Sequence, residues 1–199
     1  MKNFQKILHN ILSETSKIFW ILFKVILPVV VIIRFLELMG AIPYLAKFLE
    51  PLTSFIGIDG SLGLVWMAAI LVNIYAGMAA FASLQAIFDY SVAETTILGL
   101  IILIAHSLPI EVAIARQSRV SAIFNLLFRF INAIIAGKIL NLIFIKYDLF
   151  NEKNISFLKA PNTTVSNIDW AILQVQNFLI IFIIIFSIIT TINILKYLG

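Results

Sequence analysis

Two stretches of the chain hold no charged residue, 60–88 with 29 residues and 170–195 with 26. A helix rises 1.5 Å per residue, so about 20 apolar residues cross the hydrocarbon core of a bilayer. Both stretches exceed that length. Of the 199 residues, 62% are hydrophobic and 12% charged, against about 45–50% and about 25% in soluble domains. Too little polar surface remains to wrap a water-soluble globule. The sequence therefore predicts an all-α, polytopic integral membrane helical bundle whose first partner is the lipid bilayer.

Several function classes drop out. With no cysteine, disulfides, thiolate metal sites and cysteine nucleophiles are absent. Two histidines, His9 and His106, cannot build an all-histidine metal site. The net charge of +4 comes from 14 basic residues that are scattered along the chain, so nucleic acid is not an expected partner. No His-Glu-x-x-His, Gly-x-Ser-x-Gly or cluster of metal ligands occurs. Neither an enzymatic activity nor a cofactor is expected.

Along the chain, Phe4, Ile7, Leu8, Ile11, Leu12 and Thr15 fall at helical spacing, with Lys2, Lys6 and Lys17 mostly off that face. This predicts an interfacial amphipathic helix over 1–17. No small-residue cleavage site follows, so a secretory signal is not expected. A first crossing follows over about 18–39, carrying Lys24, Arg34 and Glu37; the last two stand one turn apart, where they can pair. The apolar run 40–56 is short and holds Pro43, Lys47, Glu50 and Pro51, which reads as a re-entrant or interfacial half-helix. In Gly57-Ile58-Asp59-Gly60-Ser61-Leu62-Gly63 the glycines recur every three residues. That segment predicts a flexible connection with Asp59 or Ser61 as helix cap, or else an anion or substrate contact at the next helix N-terminus.

The run 61–86 predicts one continuous central helix, with Ala69, Asn73, Ala76, Gly77, Ala80 and Ser83 along a close-packing face. Pro109 lacks a donor N–H, so 92–118 reads as two short helices joined at His106–Pro109. A further crossing over 120–145 carries a polar stripe of Ser121, Asn125, Arg129 and Asn132. A polar loop over 146–169 and a C-terminal transmembrane helix over 170–199, bulky on all sides, complete the chain.

Ionisable residues at membrane depth are costly and mark candidate sites. Here they are Arg34, Glu37, Glu94, His106, Glu111, Arg116 and Arg129, with neutral help from Asn73, Thr95, Thr96, Ser107 and Asn125. The expected solute-binding set is Asn73, Glu94, Thr95, His106, Ser107, Glu111 and Arg129. A break at Pro109 would bring His106 and Glu111 together, as a proton relay or a recogniser of polar groups. Alternatively the charges neutralise one another: Glu37 with Arg34, and Glu94 or Glu111 with Arg116, Arg119 or Arg129.

The order of short motifs resembles the Gate, or nucleoside-recognition, domain. The matching pieces are Ile26-Leu27-Pro28, Met39-Gly40, Leu49-Glu50-Pro51-Leu52, Gly57-Ile58-Asp59-Gly60, Asn73-Ile74-Tyr75-Ala76-Gly77, Glu94-Thr95-Thr96 and Ala105-His106-Ser107-Leu108-Pro109-Ile110-Glu111. The resemblance covers roughly 20–140 and makes 18–145 the Gate-like membrane domain. Such domains occur in concentrative nucleoside transporters, ferrous-iron transport B proteins and the spore-maturation A and B proteins; this chain is most similar to the short stand-alone members. The resemblance implies a prokaryotic cytoplasmic membrane and transport of a small polar, nucleoside-like solute, or a non-transporting assembly role of spore-maturation type. Many transporters place their site between two related repeats, and 20–140 has no second copy. The expected partner is thus a second copy of the chain or a second Gate-domain protein.

Overall fold

A computed structural model describes residues 2–85, 87–155 and 166–198, the side chains of 2–10, 194 and 196–198 excepted. The described residues form α1 (Lys2–Leu38), α2 (Ile42–Ile56), α3 (Gly60–Leu71), α4 (Ile74–Leu84), α5 (Val92–Ile104), α6 (Leu108–Gln117), α7 (Ala122–Tyr147) and α8 (Asn167–Leu198). Among them four helical stretches are long and apolar enough to cross a membrane: Ile11–Leu38, Val92–Gln117, Ala122–Tyr147 and Asn167–Asn193. Two compact units divide the chain, Met1–Leu27 with Pro161–Gly199, and Pro28–Ala160.

In the first unit, α8 and the N-terminal part of α1 meet through phenylalanines. Phe19 stands edge-on to Phe182 at 5.3 Å between ring centroids, and Phe23 lies 4.9 Å from Phe178. Such pairs contribute about 0.5–1.5 kcal/mol beyond burial. The helix α1 runs unbroken through residues 17 and 18, where the amphipathic pattern predicts a change from interfacial helix to crossing. Of the polar loop expected over 146–169, residues 156–165 lie outside the described ones.

The second unit opens with a right-angle corner. Helices α2 and α3 are bent by 91°, so only one of them can follow the bilayer normal. Pro43, Lys47, Glu50 and Pro51 suit α2 to the interface. The corner is rigidly built. Gly57 adopts φ +85°, which a side chain would strain, and closes α2 with its N–H on the Ser54 carbonyl. Asp59, not Ser61, caps α3 by accepting the Ser61 N–H at 2.8 Å. At Gly60 a Cβ would lie 2.4 Å from the Ala46 carbonyl oxygen, so only glycine lets α3 start against α2.

The expected continuous helix over 61–86 is not formed. Helix α3 ends at Leu71 and α4 begins at Ile74, separated by Val72 and Asn73. Asn73 is extended, with φ −172°, and its side-chain oxygen accepts the Ala76 N–H at 2.9 Å, capping a new helix. The two helices fold back on each other: a Cβ on Gly77 would stand 2.8 Å from Ala69 Cβ and 3.3 Å from the Val65 carbonyl oxygen. At 12 and 11 residues, each arm reaches about 16–18 Å, roughly half the bilayer core. The 29-residue uncharged run is therefore a helical hairpin of two short arms, not one continuous helix of membrane-spanning length. Small residues on its inner face do what they were expected to do, but between its own two arms.

Helices α5, α6 and α7 complete the unit, with α5 broken from α6 at Ala105–Ser107, as the position of Pro109 predicts. Ile56, Leu62, Val65, Ile97 and Ile101 form its fully buried centre. Lipid is as apolar as these side chains, so close packing and hydrogen bonds, rather than escape from solvent, hold such a unit together.

Candidate functional site

Every helix break exposes backbone groups that must find partners, and at membrane depth water does not supply them. The break between α5 and α6 recruits partners from two other helices, α3 and α7. The Ser107 N–H donates to the Ala69 carbonyl at 2.9 Å, tying the end of α3 to the break. Trp66 Nε1 donates to the Ala105 carbonyl at 3.2 Å, with the indole stacked on Phe130 at 5.2 Å. Arg129 Nη1 reaches the Ile104 carbonyl at 3.5 Å, and its Nη2 pairs with Glu111 Oε2 at 2.9 Å. His106 Nδ1 lies 2.9 Å from the Ile102 carbonyl. A carbonyl only accepts, so Nδ1 is the donor in this contact.

Four of the seven expected site residues, His106, Ser107, Glu111 and Arg129, thus surround one break, and the descending arm of the hairpin is bonded to it. The expected His106–Glu111 pair is not made: the histidine turns to its own helix end, and the glutamate takes Arg129 from α7. This is one of the neutralising pairs read from the sequence. Arg34–Glu37, at 2.8 Å, is another. The side chains of Arg129 and Glu111 stay 30% and 33% exposed. Among the described residues no group bonds His106 Nε2 or the Ser107 hydroxyl. Cation, anion, imidazole and hydroxyl thus lie together at the break. No group of three or more potential metal ligands occurs among the described residues.

Glu94 and Thr95 belong to a different place. Glu94 completes a capping box: its Oε2 accepts the Ser91 N–H at 2.9 Å, while its own N–H donates to Ser91 Oγ at 3.1 Å. Its Oε1 accepts the Asp59 N–H at 3.1 Å, joining α5 to the α2–α3 corner. The N–H groups of Val92 and Ala93 donate to Glu152 and Phe150 carbonyls, both at 2.9 Å. All four N–H groups from Ser91 to Glu94 are thereby satisfied. The Thr95 hydroxyl bonds the Ser91 and Val92 carbonyls, each at 3.0 Å. Asn73 caps α4 at the hairpin tip. These three expected site residues hold helix ends.

Trp66 and Tyr90 were not expected, and Ser61 was expected only as a candidate helix cap. Ser61 Oγ bonds both Asp59 Oδ1 and, at 2.7 Å, the Tyr90 hydroxyl, so Tyr90 fastens the start of the hairpin to the segment that follows it. The Ser91…Glu94 spacing is a capping-box signature and would have revealed the glutamate's task. The single indole within 60–88 marks a hydrogen-bond donor in need of a buried acceptor.

Over 124 residues, 62% of this chain, the sequence is 28% identical to YvoD of Bacillus subtilis (strain 168), described as an uncharacterized membrane protein. The match spans 38% of that protein. No family model matches the chain, and no solved structure matches it. The helical spans and this similarity identify an integral, multi-pass, all-helical membrane protein, distantly similar to a bacterial membrane protein of undetermined activity.

Proposed function

We propose that the chain is one half of a Gate-type permease, formed with a second copy or a second Gate-domain protein, that passes a small polar solute across the membrane. The observation that carries this reading is the meeting of two interrupted elements, the α3–α4 hairpin and the α5–α6 break, around an ion pair left about a third exposed. Non-helical backbone at membrane depth persists where protein or a hydrated cavity surrounds it. Support also comes from the Gate resemblance: the glycine-rich motif falls on the corner, the Asn73 motif on the hairpin tip, and the Ala105–Glu111 motif on the break. In this reading Glu111 and Arg129 recognise polar groups of the solute, with His106 and Ser107 beside them.

A second reading, a non-transporting assembly protein, draws on the capping roles of Asn73, Glu94 and Thr95, which leave those residues no duty toward a solute. Uptake into proteoliposomes, with a panel of nucleosides and divalent metals, separates the two. The permease reading expects uptake by the wild type and, for Glu111→Ala or His106→Ala, a loss of about tenfold or more, since a hydrogen bond to a charged group contributes about 1.5–3 kcal/mol. No uptake of any member, with both variants inserting and assembling normally, favours the assembly role.

A further inference from the structure

We propose that the turn between α6 and α7 binds the phosphate of an anionic phospholipid, held by Arg116 and Arg119. Both arginines line an open cleft of about 440 Å³ with Val120, Ser121, Ala122 and Ile123. Neither makes an ion pair among the described residues, because Glu111, the nearest acidic residue in sequence, is committed to Arg129. Nor are they needed to close α6. Its last carbonyls are taken by backbone donors: Ile114 and Ala115 by Ser118 and Val120, and Arg116 by Arg119. Two cations are therefore gathered at one cleft with no structural use for their charge. The start of α7 adds the favourable end of its helix dipole to them.

The position selects lipid over a soluble anion. The apolar spans Val92–Gln117 and Ala122–Tyr147 end and begin on either side of this turn, which sets the arginines at the level where hydrocarbon gives way to headgroups. Around them Ile110, Ile114, Ile123 and Phe124 are 57–72% exposed. An acyl chain would lie along these side chains while its phosphodiester reached the guanidinium forks, which match phosphate oxygens two at a time.

The test uses the full chain in neutral detergent. Thermal stabilisation and lipid retention in native mass spectrometry are measured with phosphatidylglycerol, phosphatidylcholine or inorganic phosphate. Phosphatidylglycerol should stabilise the wild type and be retained. The double variant R116Q/R119Q should bind it about 30-fold more weakly, each basic residue near an anionic surface multiplying affinity about fivefold. R116K/R119K should keep an intermediate affinity, since charge survives but the fork does not. Without lipid, R116Q/R119Q should melt where the wild type does. Equal responses to phosphatidylglycerol and phosphatidylcholine, an undiminished response in R116Q/R119Q, or full stabilisation by inorganic phosphate alone would each overturn the proposal. So would a lipid-independent drop in melting temperature, which would make the arginines structural.

Discussion

Tyr90 lies outside the membrane-spanning helices yet is only 4% exposed, its hydroxyl 2.7 Å from Ser61 Oγ. Burial holds its phenol well above the ordinary tyrosine range, with the nearby Asp59 and Glu94 carboxylates pushing the same way and the Ser61 hydrogen bond opposing. In the unfolded chain the phenol ionises near pH 10. The folded state keeps the proton beyond that point, so stability is independent of this group below about pH 10 and falls as pH rises above it, by about 1.4 kcal/mol per pH unit. Melting curves of wild type and Tyr90→Phe in detergent should converge between about pH 9 and about pH 11, because the variant lacks this loss. At neutral pH the variant should be less stable by about 1 kcal/mol for the missing hydrogen bond. Parallel pH profiles would show that Tyr90 is not buried as described. The same scale shows what residue identity reveals. Polar side chains within apolar segments draw attention because their burial is costly, but a helix cap and a ligand contact use the same residue types. Only the positions of Asn73 and Glu94 at helix starts tell them apart.

At the scale of elements, the legible breaks were those announced by backbone chemistry. Pro109 cannot continue a helix, and the glycines at 57 and 60 permit a left-handed turn and a contact at backbone distance. The hairpin tip carries no such mark. Leu71-Val72-Asn73-Ile74 has neither proline nor glycine, and one asparagine inside an apolar run suits a packed helix as well as a cap. Hydropathy cannot tell one 29-residue crossing from two half-length arms of the same composition. The fold-back itself makes a sharp prediction about glycine. Gly77→Leu forces a side chain into Ala69 and Val65 and should cost about 1–3 kcal/mol. Gly99→Leu, where nothing lies within 4 Å of the new Cβ, should leave stability unchanged or slightly raised. Denaturation of both in mixed micelles checks this; equal costs at the two glycines would deny the hairpin packing.

For the whole molecule, membrane residence and helical class were legible because they follow from summed apolarity. The number of crossings was not, because it depends on whether one run turns back. Cysteine scanning is straightforward in a chain with none of its own. Glu50→Cys and Asp89→Cys should react with a membrane-impermeant maleimide from the same side of sealed vesicles, and Gln117→Cys from the other. Labelling of the first two from opposite sides would restore the single crossing. The central claim is that the α5–α6 break borders a polar pathway, and one rate addresses it directly. His106→Cys should react with a charged thiol reagent several-fold faster than Leu103→Cys, whose parent side chain is 65% exposed on the apolar surface of α5. A rate at position 106 no higher than at 103 would place the break in a dry interior and contradict the account.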